Sequence, residues 1–369
     1  MIDYTNSKLL LDASNIPVGE VVWRSPSNLA ILKYWGKHGI QLPNNPSLSM
    51  TLQNAYTDTV IKYSPKEDYA RGIDLDFHFH AEPNEAFKAK IISYFESLLP
   101  IFPFLEQLKL DIHSGNSFPH SSGIASSASS MSALALCLCT MEDQFFGTLE
   151  EDTAFDQKAS YIARLGSGSA SRSIFPGMAL WGQTGQVEGS SDYYAVPLGD
   201  RMHEGFKNYH DDILIVQSGE KSVSSRAGHG LMDENPYAPT RYEQTKKTLH
   251  NLLAVIDKGD FEGFGKIAEA EAMTLHALMM TSNPPYLLMD PNTLAIIKKV
   301  REYRAETKQP LYFSLDAGPN VHLLYPEEII HDVRLFIEEE LLSFCEEGMM
   351  ISDWVGEGPE EIDLEVEGS

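Results

Sequence analysis

The sequence predicts an α+β protein built as two domains. Strand-like and helical patterns mix in both halves of the chain rather than segregating into separate blocks. At 369 residues the chain also exceeds the length at which a single hydrophobic core stops growing. The boundary is expected near residues 185–210, giving units 1–200 and 201–369.

The elements follow in order. Val21, Val22 and Trp23 open the first strand, and residues 49–63 (SMTLQNAYTDTVIKY) carry two further strand pieces, because Thr, Val and Tyr suit a pleated, half-buried surface. Residues 74–80 (DLDFHFH) alternate strictly, which sets Leu75, Phe77 and Phe79 on one face and Asp74, Asp76, His78 and His80 on the other. A metal site from Asp76, His78 and His80 is one reading of that polar face, and a solvated strand face explains the same alternation. Apolar residues at helical spacing predict helices over 85–99, 132–146 and 152–164. In the second half, residues 212–216 (DILIV) read as a buried strand, 311–315 and 321–325 as two more. Residues 239–257, 261–281, 291–306 and 327–347 read as helices. No internal repeat interrupts this order.

Composition narrows the function. Twenty-eight basic against fifty-three acidic residues leave a formal net charge of −25, which repels nucleic acid and anionic membranes at long range. Part of the excess crowds the end, where Glu357, Glu360, Glu361, Asp363, Glu365 and Glu367 read as a mobile tail. No apolar run reaches membrane-spanning length and the first residues lack a signal-peptide pattern, so the expected compartment is the cytoplasm. Cys137, Cys139 and Cys345 sit in apolar helical patterns without metal-ligand spacing and read as reduced core residues. A phosphorylated small molecule remains open as a ligand, provided that local lysines and arginines oppose the global field.

Four segments carry chemistry. Residues 118–130 (FPHSSGIASSASS) form a small-residue loop that runs straight into an apolar helix, an arrangement suited to phosphate. Gly123 and Ala125 let the backbone approach an anion at the positive end of the helix dipole. Ser126 and Ser127 add hydroxyls, either as donors or as ligands to a magnesium ion riding on phosphates, while a plain serine-capped core helix is the structural alternative. In residues 25–38 (SPSNLAILKYWGKH), Lys33 and Lys37 flank aromatic residues. If the segment forms one helical turn, the two ammonium groups share a face and attract an anion or tune a carboxylate; the alternative leaves both in water. Residues 163–173 (ARLGSGSASRS) follow a helix rather than a strand, which excludes a dinucleotide fingerprint. Ser167, Ser169 and Arg172 suit an anion pocket, or else a glycine–serine turn with a surface ion pair. Asp316, in residues 313–322 (FSLDAGPNVH), emerges from an apolar strand into a tight turn, where it is held still for catalysis or caps the turn. The cationic, hydroxylic residues 221–228 (KSVSSRAG) form its proposed partner segment.

Taken together and in this order, KYWGK, FPHSSGIASSAS, GSGSASRS and SLDAGPN resemble the diphosphomevalonate decarboxylases, a branch of the GHMP small-molecule kinase superfamily. The resemblance spans roughly residues 23–325. It implies a GHMP-kinase-like two-domain fold, with a ribosomal protein S5 domain 2-like first domain and a ferredoxin-like second, and ATP and substrate in the cleft between them. It further implies Asp316, Lys33 and Arg172 as catalytic residues, with Tyr34, Lys37, Ser167, Ser169, Ser224 and Ser225 touching the substrate. Pro119, Ser122, Gly123, Ala125, Ser126 and Ser127 would cradle the ATP phosphates, with Ser127 on Mg2+. A homodimer is compatible with the resemblance. The segment HSS at 120–122, Ser171 and Pro46 depart from the family pattern but leave the catalytic set intact. Decarboxylases of mevalonate 5-phosphate and mevalonate 3-kinases that release no carbon dioxide share the fold.

Overall fold

The computed structural model describes residues 2–67, 72–119, 124–219 and 225–362, with the side chains of Ser225 and Arg226 left out. Its first sheet begins with β1 (Gly19–Leu32), a strand far longer than three residues because a branched and small-residue pattern continues through Leu29 and Ile31. Short β2 (Lys37–His38) and β3 (Leu42–Pro43) pair as a hairpin, and β4 (Ser47–Pro65) then runs antiparallel to β1 as one 19-residue strand where the sequence suggests two pieces. Next come β5 (Asp74–Phe79), β6 (Glu82–Pro83), helix α1 (Glu85–Leu98) and β7 (Leu108–Asn116), which lies parallel to β5 across the α1 connection. Helices α2 (Ser126–Phe146) and α3 (Asp152–Gly166) pack on the inner face, and β8 (Met178–Trp181) and β9 (Ala195–Pro197) extend the sheet beside β4.

The pairing of β1 with β4 slips twice, between Pro26 and Asn28 and between Ala30 and Leu32. Each slip re-aims the side chains beyond it, as bulges beside functional sites do. The result is that Asn28 reaches Ser173 and that Lys33 leaves the end of β1 pointing toward the second half of the chain.

The second half builds a four-stranded antiparallel sheet from β10 (His210–Leu214), β11 (Tyr312–Ser314), β12 (Val321–Tyr325) and β13 (Met350–Ile351), in the order β11-β12-β10-β13. Its helices are the single turn and a half α4 (Ser225–Gly230), then α5 (Ala238–Lys258), α6 (Phe261–Met280), α7 (Pro291–Thr307) and α8 (Ile330–Phe336). Helical periodicity predicts residues 327–347 as one helix. The segment instead passes through a 3-10 turn, α8, a π turn and two further 3-10 turns, with Glu347 at φ 52. Three consecutive glutamates, Glu338, Glu339 and Glu340, fall in the π turn.

The last segment binds the two halves together. Strand β14 (Glu360–Glu361) pairs with Trp23 and Arg24 of β1, so this part of the acidic tail is an ordered strand rather than a mobile end. Upstream of it, the Asp353 carboxylate accepts the N–H groups of Gln53, Asn54, Ala55 and Trp354. Burial nevertheless pushes its pKa up to about 6, with those N–H groups opposing the shift.

Candidate active site

Elements from both halves of the chain meet around one cavity of about 130 Å3. Its walls include Lys33, Tyr34 and Lys37 after β1, Ala125 and Ser127 at the start of α2, and Ser167, Ser169 and Arg172 after α3. From the second half come His229 of α4 and Asp316 after β11. Segments up to almost 300 residues apart in sequence thus share one small space, as the separate motifs suggest.

Asp316 stands where β11 ends. Its backbone carbonyl accepts from Gly318 N–H at 2.8 Å and lies 3.1 Å from His276 Nε2, so the turn is held on two sides. Asn320 fastens the same turn to the exit of β10 through both the N–H and the carbonyl of Gln217. The Lys33 ammonium, 3 % exposed, donates to Asp316 Oδ1 at 2.8 Å. An ammonium so buried needs an anion beside it, and this carboxylate supplies one while remaining open to the cavity.

Lys33 and Lys37 do not share a helical face. Residues 33–36 are irregular, and Lys37 opens β2, because Gly36 at φ +104 turns the chain where a helix would continue. Lys37 instead donates to Gln41 Oε1 at 2.7 Å and lies 5.7 Å from the centre of the Tyr34 ring, still on the cavity wall. Tyr34 is clamped between Trp181 and His229, with ring centroids 4.9 and 4.8 Å away, and burial pushes its hydroxyl up to about 12. It therefore stays a neutral donor at physiological pH.

A 3-10 turn over Gly168–Arg172 delivers Arg172 into the cavity wall. The guanidinium is 1 % exposed, and Ser49, Ser47 and Asn28 accept from its Nε, Nη1 and Nη2. Desolvation pulls its pKa down to about 10, against the opposing pull of Tyr34 and Asp316. It remains a cation near neutrality, locked in one plane by strand side chains, with the rest of its fork left for the cavity.

Helix α2 starts at Ser126, and Ala125 before it adopts a left-handed conformation (φ 44) with no side-chain cap on the helix. A non-glycine residue in that region costs energy that tertiary structure must offset, a pattern common at binding sites. Ser127, Ser167 and Ser169 form a chain of hydroxyls along the wall, with oxygens 3.2 and 3.3 Å apart. Pro119 and Ser126 are described but do not line the cavity. Ser122, Gly123 and Ser224 lie outside the described residues, as does the side chain of Ser225.

Sequence reasoning missed four residues. His229 accepts the Gly36 N–H at Nδ1, 3.0 Å away, and burial with Lys37 nearby holds its pKa well below the usual histidine range. Asn28 anchors Arg172. Glu271 and Arg241 form a buried ion pair that grips the backbone of Lys33 from both sides: Glu271 accepts its N–H at 3.0 Å and Arg241 donates to its carbonyl at 2.8 Å. A signal for Glu271 does exist, since it falls with Phe264, Ala268, Ala272 and Leu275 on the buried face of α6, where a lone charge needs a partner.

Comparison with known proteins gives the family. Residues 25–195 match the diphosphomevalonate decarboxylase-like N-terminal domain and residues 212–357 the mevalonate 5-diphosphate decarboxylase C-terminal domain. The diphosphomevalonate decarboxylase of Saccharomyces cerevisiae is 30% identical over 333 residues, covering 85% of this chain and 78% of that protein. The crystal structure of mevalonate diphosphate decarboxylase from Staphylococcus aureus superposes with a TM-score of 0.80 at 28% identity, covering 94% of this chain and 99% of the other. A related structure in complex with MVAPP, AMPPCP and magnesium gives a TM-score of 0.78 at 27% identity, covering 94% and 100%. Fold, cavity and sequence converge, and the chain belongs to the diphosphomevalonate decarboxylase family, with its GHMP-kinase-like two-domain α+β fold.

Proposed function

We propose that this chain catalyses the ATP-dependent decarboxylation of mevalonate 5-diphosphate to isopentenyl diphosphate, through phosphorylation of the 3-hydroxyl. The carrying observation is the Asp316–Lys33 pair in one cavity with Arg172. Asp316 accepts the proton of the tertiary hydroxyl as its oxygen attacks the γ-phosphorus of ATP, and Lys33 favours the ionised carboxylate until that moment. Phosphoryl transfer asks chiefly for positioning and charge neutralisation, which three cations around one carboxylate supply. The new phosphate then leaves with the C–O electron pair. The electron-poor tertiary carbon draws the pair of the adjacent carbon–carboxylate bond, forming the double bond and releasing carbon dioxide. Arg172, fixed by Ser47, Ser49 and Asn28, aligns the departing carboxylate.

In this reading Tyr34, Lys37, Ser167 and Ser169 contact the substrate or its diphosphate, and the loop ending at Ala125, Ser126 and Ser127 holds the phosphates of ATP. The Ser127 hydroxyl on the cavity wall is a hard oxygen donor, which suits magnesium; the ion, when bound, would neutralise phosphate charge. The chain divides near residue 200, each unit supplying one wall. The three buried, unbridged cysteines support a reducing compartment such as the cytoplasm.

The test is a side-by-side assay of mevalonate, its 5-phosphate and its 5-diphosphate with ATP and magnesium. ADP and carbon dioxide formed one to one from the diphosphate alone is the expected result. ADP without carbon dioxide would make the protein a plain kinase, and gas release from the monophosphate would reassign the substrate.

A further inference from the structure

We propose that the outer face of the first sheet carries a second, non-catalytic site for a divalent transition metal of zinc's class, with His78, Asp111 and His113 as ligands. Strands β5 and β7 run parallel, and their register sets His78 directly beside His113. Asp111 lies two residues before His113 and so projects from the same face. One ligand atom from each of the three side chains lies within 4.8 Å of the other two. The Asp111 carboxylate spans both imidazoles: Oδ2 is 3.1 Å from His113 Nε2, and Oδ1 is 3.4 Å from His78 Nδ1. The two rings stack with centroids 4.6 Å apart and planes 9° apart.

The His78–Asp111 contact is what points to an ion. Both His78 Nδ1 and Asp111 Oδ1 are buried from solvent, face each other, and make no hydrogen bond. Two ligand atoms on a tetrahedral zinc, each bonded at about 2.0–2.1 Å, stand about 3.3 Å apart. These two atoms are already at that spacing, and the third ligand atom, His113 Nε2, lies 3.1 Å from the other oxygen of the same carboxylate. Three protein ligands leave a fourth position for water. Imidazole nitrogens select zinc, nickel, cobalt or copper over magnesium, and none of the three residues lines the cavity described above.

This trio replaces the set read from strand alternation alone. Asp76 is occupied by Lys88 at 2.9 Å and Lys109 at 4.0 Å. His80 lies past the end of β5 at φ 50, its ring edge-on to Phe79. Only His78 of the original three contributes, and its partners come from β7, a strand that the sequence reading did not find.

Zinc chloride titrated into the full-length protein by calorimetry, with excess magnesium to saturate oxygen-only sites, should show one equivalent bound. His78→Gln and His113→Gln should each weaken that binding more than about tenfold, while Asp76→Asn leaves it unchanged. Turnover with magnesium and ATP should match the parent in all three, which also reports that they fold. In the unsubstituted protein, substoichiometric zinc should perturb two of the twelve histidine imidazole signals in NMR spectra. Absence of a one-equivalent zinc event, the same affinity in the glutamine variants, or perturbation of other imidazoles in place of these two would overturn the proposal.

Discussion

Replacing Glu271 by alanine separates what holds Lys33 in place from what Lys33 does. Glu271 and Arg241 are each about 2 % exposed in their side chains, and between them they bind the N–H and the carbonyl of Lys33. Removing the carboxylate strands the Arg241 charge in the interior, which costs about 3–5 kcal/mol in comparable buried pairs. The loss of an acceptor for the Lys33 N–H belongs to the same event and is not added separately. An unfolding entropy of roughly 2.1 cal/mol/K per residue over 369 residues is about 0.8 kcal/mol/K, so Tm should fall by about 4–6 °C. Turnover should fall with it. Glu271→Leu combined with Arg241→Met removes both charges and should recover most of the lost stability. It should not recover turnover, because nothing then orients the backbone that presents the Lys33 ammonium to Asp316. Scanning calorimetry and steady-state kinetics on the three proteins decide the matter. Full turnover in the apolar double variant would refute the positioning role, and a Tm within about one degree of the parent in Glu271→Ala would refute the electrostatic account.

Other expectations can be checked with the same assays. Asp316→Asn should lower turnover by about 10²–10⁴-fold while ATP still binds, as measured by nucleotide titration, because the carboxylate serves proton transfer. Arg172→Lys should lose most activity, since an ammonium cannot satisfy Ser47, Ser49 and Asn28 together and still face the cavity; unchanged kinetics would place Arg172 outside the reaction. Gly168→Ala would set a methyl group 2.6 Å from the Trp181 ring and 3.0 Å from the Tyr34 hydroxyl, so KM for the substrate should rise as Tyr34 is displaced. His229, with a folded pKa well below its unfolded value, leaves the unfolded state binding more protons, so its contribution to stability is lost as pH falls below about 6.5. Tm should accordingly drop more steeply from pH 7 to 5 in the parent than in His229→Asn; parallel curves would exclude His229 as the cause.

Much of this architecture is legible from residues alone. The β12 strand and the helices after residue 84 carry strong periodicity, and most match their expected spans within a few residues. The small-residue and hydroxylic segments that supply Ser127, Ser167, Ser169 and Arg172 gather at the cavity because few packed cores have a use for that mixture. Strands β7 and β8 are not among the expected elements: β7 alternates apolar and polar residues from Leu108 to His113 as strictly as residues 74–79 and is legible by the same rule, whereas β8 is four buried residues with no alternation. The reach of Lys33 depends on register slips between β1 and β4, which no local pattern encodes. The same is true of the Arg241–Glu271 grip, a contact between residues more than 200 positions from the lysine they hold.

The path of the final described segment bears on how the molecule is made. Residues 350–361 add a strand to each sheet, and Asp353 satisfies backbone groups around residues 53–55. On the ribosome, the amino-terminal sheet therefore waits for nearly the whole chain to emerge before its edge and these N–H groups find their partners. Biogenesis of this fold cannot finish one unit at a time, and a nascent chain halted near residue 340 should remain open to protease at β4 even though every cavity-lining side chain has already been synthesised.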